Sequence, residues 1–149
     1  MNRVFEDQLM DIQSDMISLS LEYVENKAET VYIYVVLEDG LVSFDVFYKI
    51  NGVFVELHRV NTVLDTKVDD SDNMMFSVLR YGNEDIQKLI DVYQEYNREH
   101  PTEMWLVYDV QKNRLESRYS YEGRYEKDDD LELLPSLEFE KWFEEVQGQ

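Results

Sequence analysis

The chain contains no cysteine, which excludes disulfides, thiolate metal sites and cysteine nucleophiles. Glycine is scarce at five residues, and two of these sit in the turn dipeptides Asp39-Gly40 and Asn51-Gly52. Too few remain for a glycine-rich phosphate loop. Cations are scarce as well: 14 Lys and Arg face 33 Asp and Glu, a formal net charge of −19. A surface of that sign repels phosphate backbones and anionic lipid and attracts basic proteins, so direct nucleic-acid binding is not expected. No apolar run approaches the length of a membrane span. Acidic residues from Glu6 onward interrupt any basic-then-apolar leader. The expected address is the cytoplasm, away from membrane.

What is present is a foldable core. Hydrophobic residues make up 44% of the 149 and aromatics 13%, too apolar for a disordered acidic tail. The whole chain, 1–149, reads as a single acidic domain.

Periodicity divides it into elements. Phe5, Leu9, Ile12, Met16, Leu19 and Tyr23 advance in steps of three and four, which predicts a helix over about 3–25. The period then falls to two. Residues 31–37 are β-branched and aromatic, and the two turn dipeptides lead on to strands over 41–49 and 53–59. Pairing across the turns sets Val35 opposite Phe44, Ile33 opposite Val46 and Val31 opposite Tyr48, and then Tyr48 opposite Val55 and Val46 opposite Leu57. One face is continuously apolar, and a one-residue slip would break it. The other face carries Tyr32, Tyr34, Asp45, Phe47, Lys49, Phe54, Glu56 and His58. It could face solvent, lie under a short element, or dock a partner.

Residues 74–79 fit either a helical turn or an edge strand. A second helix is expected from Asn83 as N-cap, with Ile86, Leu89, Ile90 and Tyr93 buried, ending before Pro101. Strands follow over 103–108 and 115–121, and an amphipathic helix starts near Ser136. The order predicts an α+β fold, with a mainly antiparallel sheet of about five strands and helices packed on one face.

Chemistry-bearing patterns are thin. His58 falls opposite Asp45 in the proposed register, but opposite charges across a sheet face are ordinary pairing. His100 beside Pro101 fits a helix end. Asp69-Asp70-Ser71-Asp72 and Asp128-Asp129-Asp130 are dense in oxygen ligands, yet neither opens the twelve-residue spacing of an EF-hand. In so acidic a chain, carboxylate pairs at glycosidase separation arise by chance. The expectation is therefore a binding protein, not an enzyme, with no cofactor and no metal. Its eleven tyrosines and two tryptophans include several set among carboxylates, which suits interface anchors steered by charge. Candidate partner-binding residues are Tyr119, Tyr121, Glu122, Tyr125, Asp128, Asp129 and Asp130, with Asp69, Asp70 and Asp72 behind them.

The segments Val31-Tyr-Ile-Tyr-Val35, Val42-Ser-Phe-Asp-Val-Phe-Tyr48, Ile86-Gln-Lys-Leu-Ile-Asp-Val-Tyr93, Trp105-Leu-Val-Tyr-Asp109 and the tyrosine-bearing stretch 115–122 carry a likeness. In that order, after an N-terminal helix, the layout resembles the YezG-like immunity proteins, intracellular antitoxins that Gram-positive bacteria pair with secreted nuclease toxins. The acidic segment before the second helix and residues 133–142 depart from that pattern. The resemblance implies a basic protein partner, a secreted nuclease toxin, whose nucleic-acid surface this chain would block. A regulatory or adaptor domain with an unrelated partner is the alternative.

Overall fold

The computed structural model describes residues 4–38, 40–127 and 133–149. Helix α1, Phe5–Tyr23, opens the chain, and β1 (Thr30–Glu38), β2 (Leu41–Ile50) and β3 (Val53–Glu56) form a meander after it. A 3₁₀ turn, Leu57–Thr62, leads by a loop into α2 (Asp72–Glu95). Strands β4 (Glu103–Asp109) and β5 (Arg114–Ser120) follow, and then α3 (Pro135–Gln147). The five strands make one sheet, ordered β3-β2-β1-β4-β5, antiparallel at every step. The α+β antiparallel architecture is the one the sequence implies. Among the described residues, no helix is long and apolar enough to cross a membrane.

The first hairpin has the expected register: Val31 pairs with Tyr48, Ile33 with Val46 and Val35 with Phe44. Asn51 and Gly52 both have positive φ, +51° and +78°, as a type I′ turn demands. Gly40 is left-handed too, while Asp39, its partner in the first turn dipeptide, lies outside the described residues. Strand β1 occupies the centre because it pairs on both sides, setting Ile33 against Leu106 and Val35 against Met104 of β4. Its residues Val31, Ile33, Val35, Val36 and Leu37 are fully buried.

Both α1 and α2 cover one face of the sheet. Ile12 and Met16 of α1, with Ile86 and Leu89 of α2, close over Ile33, Val46 and Leu106 in a single apolar core. At the far end Phe5 meets Tyr93 edge-on, with ring centroids 5.0 Å apart. Near the middle Gly82 lies against the Phe44 ring, where any Cβ would overlap the ring carbons. This glycine is chosen for close approach.

Four expectations are corrected. Strand β3 stops at Glu56: Leu57 and Val60 are buried from a 3₁₀ turn rather than from a strand continuing to Arg59. Helix α2 begins at Asp72, not after an Asn83 cap, so residues 74–79 are helical; the Ser71 side chain caps it by accepting from the Met74 N–H. Strand β5 ends at Ser120, one residue short of Tyr121.

The helices, finally, do not share one face. Helix α3 lies on the other side, where Phe139 and Val146 pack with Tyr34, Val36 and Phe47 in a second core. Phe47 is its hub. It stacks on Tyr32 at 4.4 Å and meets Phe139, Trp142 and Phe143 at 5.6, 5.1 and 5.0 Å. Such edge-to-face pairs add to the area they bury.

Candidate functional site

The candidate residues fall in separate places. Tyr119 lies on β5, 39% exposed, and its hydroxyl accepts from Gln13 Nε2 of α1 at 2.8 Å. Gln13 is buried, and its Oε1 accepts from Ser117 Oγ at 2.8 Å, so one helical amide grips two residues of the edge strand. Tyr121, 52% exposed, lies against the Tyr93 hydroxyl of α2. Burial pushes that hydroxyl upward, and Tyr121 and Tyr119 add to the shift. Glu122 is exposed, and its backbone carbonyl accepts from Thr102 Oγ1. These exposed rings are held from behind by buried partners. Little rotamer freedom is left to lose on binding.

Tyr125 does not belong with them. It is 8% exposed, and its hydroxyl bonds that of Tyr34 at 2.8 Å beneath α3, so it is a core residue rather than a surface anchor. Burial raises its pKa to about 12. Asp69, Asp70 and Asp72 are exposed around the N-terminus of α2. The Ser71 N–H donates to Asp69 at 3.0 Å and holds that carboxyl below its ordinary value. Asp70 and Asp69 act on Tyr23, at the C-terminal end of α1. Tyr121 lies by Tyr93, at the other end of α2. A 24-residue helix spans about 36 Å, so the two groups do not form one site. Asp128, Asp129 and Asp130 lie outside the described residues.

The His58–Asp45 pairing does not form either. With β3 ending at Glu56, Asp45 faces Tyr34 across β1, and His58 Nδ1 lies 3.9 Å from Glu56. Burial raises the Asp45 pKa, and Ser43 Oγ, 3.1 Å away, works against it. His100 Nδ1 lies 2.8 Å from the Pro101 carbonyl oxygen.

A polar network that the sequence did not disclose lies under α3. Glu103 is fully buried, and its carboxylate accepts from Arg124 Nε and Nη2, both at 2.6 Å, and from the Tyr34 hydroxyl at 2.5 Å. Arg124 also donates to Glu138 of α3 at 3.0 Å. The Glu38 carboxylate takes the backbone N–H groups of Tyr125 and Glu126 at 3.0 and 2.9 Å. Hydrogen bonding to Glu103 raises the Arg124 pKa, and burial raises that of Tyr34, so the guanidinium stays charged and the phenol neutral at any physiological pH. Every Glu103 oxygen is engaged, and the network serves to fasten α3 and the post-β5 segment to the sheet. Beside it a cleft of 280 Å³ runs between β4, β5 and α3, lined by Trp105, Arg118 and Trp142. The Arg118 guanidinium lies 4.3 Å over the Trp105 ring. Among the described residues no cluster of His, Asp or Glu could hold a metal ion.

No family model matches the chain, and no curated protein matches it.

Charge is unevenly spread. Helix α1 carries Glu6, Asp7, Asp11, Asp15 and Glu22, all exposed, and no Lys or Arg. Residues 111–127, around β5, hold five cations (Lys112, Arg114, Arg118, Arg124, Lys127) against three glutamates, a local +2. The other residues therefore sum to −21.

Proposed function

We propose that the protein is an immunity-type binder that neutralises a basic protein partner, a secreted nuclease toxin, by covering its nucleic-acid surface. The observation that carries this reading is the pairing of an acidic, cation-free α1 with exposed rings, Tyr119 and Tyr121, fixed at its border by Gln13 and Tyr93. Carboxylates of that density steer a cationic partner and speed encounter. Rings already locked in place supply desolvated contact area at low entropic cost. Glu122 lies next to them, and Asp69, Asp70 and Asp72 form a second acidic patch at the far end of α2. The resemblance of the strand and helix segments to YezG-like immunity proteins supplies the toxin. A basic nuclease presents a cationic groove to phosphate, and this helical layer offers it carboxylates instead.

The test is capture of a partner by tagged protein from its own lysate at low and at raised salt, followed by a nuclease assay on the captured protein. The expected result is a basic nuclease released as salt rises and inhibited at a one-to-one ratio by the free protein. Tyr119→Ala with Tyr121→Ala should weaken that inhibition at least 10-fold. Recovery of only neutral or acidic proteins, or a nuclease that stays active in the complex, would refute the reading and favour the adaptor alternative.

A further inference from the structure

The sheet has two edges of unequal kind. Strand β3 is blunted at four residues, whereas β5 runs for seven. The hydrogen bonds at the ends of β4 reveal which backbone groups β5 leaves open. Leu37 N donates to Thr102 O, and Val110 N donates to Glu29 O, so the even-numbered residues of β4 turn their backbone toward β1. The odd-numbered ones, Glu103 to Asp109, then face β5 and meet its even-numbered residues, as the pairs Trp105–Arg118 and Val107–Glu116 show. Leu115, Ser117 and Tyr119 are left with N–H and C=O groups directed away from the sheet. Among the described residues no backbone group pairs with them, and a row left open in this way is a template for another strand.

We propose that the β5 edge pairs antiparallel with β5 of a second copy about a two-fold axis at Ser117, joining two five-stranded sheets into one of ten strands. The proposal does not rest on the toxin reading, although Tyr119 belongs to both contacts. A two-fold contact must be self-complementary, and this register is. Ser117 meets its own counterpart, and Leu115 meets Tyr119 of the other copy. These are the very residues whose backbone groups are open, so they form the hydrogen-bonded pairs of the new ladder. Between them fall the close, non-hydrogen-bonded positions, and there Glu116 meets Arg118 of the other copy on each side of the axis. A shift of the axis by one residue in either direction keeps the outward backbone groups paired but sets Glu116 or Arg118 against its own counterpart, like charge on like.

The surroundings agree with this occupant. The Ser117 and Tyr119 side chains are held in place by Gln13. Met10, one turn from Gln13 on α1, is 51% exposed, so the flank above the edge carries an apolar side chain. The segment around β5 is locally +2, so the acidic excess of each chain lies outside the contact. Beyond about 8 Å at physiological salt the remaining charge is screened, while pairs in contact are not. One edge-to-edge strand contact lies at the small end of interface sizes, so the dimer should be weak and concentration-dependent.

Sedimentation equilibrium across a wide concentration range, at physiological salt, tests it. The wild-type chain should show a monomer–dimer equilibrium. Glu116→Arg, which sets like charges opposite each other, should weaken it at least 10-fold. The double variant Glu116→Arg with Arg118→Glu should restore it, an outcome that a merely damaged fold would not give. Ser117→Pro removes the central outward N–H without touching the β4 ladder. It should leave a monomer whose circular dichroism matches the wild type. A monomer at every concentration, a dimer indifferent to Glu116→Arg and Ser117→Pro, or an assembly larger than two would each overturn the proposal.

Discussion

Removing Arg124 isolates what the buried Glu103 carboxylate requires. In Arg124→Ala, the fully buried Glu103 carboxylate loses two of the three hydrogen bonds and the one counter-ion it has among the described residues, keeping the Tyr34 hydroxyl. Breaking a buried pair from one side costs about 3–5 kcal/mol. The Arg124 side chain is 35% exposed, so water can enter where it stood, and the lower figure, about 3 kcal/mol, applies. For a domain of this size that lowers Tm by about 6–12 °C. The double variant Glu103→Leu with Arg124→Leu leaves no orphaned charge, and Tyr34 keeps Tyr125 as partner. It should therefore be more stable than Arg124→Ala, even though it removes more of the network. Urea unfolding followed by tryptophan fluorescence suits the measurement, since both tryptophans, Trp105 and Trp142, line the cleft beside the network. A loss below about 1 kcal/mol for Arg124→Ala, or a double variant as unstable as the single, would refute the reasoning.

Three further outcomes follow from the same geometry. Gly82→Ala should lose about 1–2 kcal/mol in chemical denaturation: overlap with Phe44 outweighs the roughly 1 kcal/mol gain in helix propensity, and Phe44→Leu should recover part of the loss. Burial raises the Asp85 pKa from 3.8 to about 6, with Lys88 opposing and Asp15 and Glu84 assisting. Its folded form holds a proton more tightly than the unfolded chain, so this group adds stability as pH falls from 6 toward 4. Asp85→Asn should accordingly stabilise the protein at pH 7, by about 3 kcal/mol at most, and flatten the stability slope between pH 4 and 6; a melting-temperature series over that range checks both. Ser71→Ala removes the α2 cap and should cost about 1 kcal/mol by the same unfolding assay, with hydrogen exchange faster over Asn73 to Met75.

Much of the sheet could be read before folding because alternation and turn chemistry agree on it. In the first hairpin both the β-branched run and Gly40 demand one register. Where the signals conflicted, the structure resolved them through contacts distant in sequence. Val53, Val55 and Leu57 alternate as a strand does, yet Leu57 is buried equally well from a 3₁₀ turn. Gly82-Asn83 resembles a helix start, but the glycine serves Phe44, some 38 positions earlier, and the true cap is Ser71. The aromatic second face of the sheet was visible, its cover was not, since nothing local tells Phe47 that Phe139, Trp142 and Phe143 will surround it. Of the candidate site, exposed Tyr119 and Tyr121 could be named from their setting among carboxylates. Tyr125 could not be told apart from them, because its burial depends on Tyr34 and α3. The Glu103–Arg124 clamp joins residues 21 apart with no periodic signature.

The central position of β1 also orders the events of folding. On one side it needs only a two-residue turn to meet β2, a closure completed within microseconds. On the other it must wait for β4, about 70 residues later, with the whole of α2 between them. The entropy of that long closure falls due before the β1–β4 ladder returns anything. The β1–β2–β3 meander should thus form early. Strands β4 and β5, a hairpin in their own right, should then dock as a preassembled unit in the slow step. Substitutions within the meander will then slow folding, and those at the late-forming β1–β4 seam will mainly hasten unfolding.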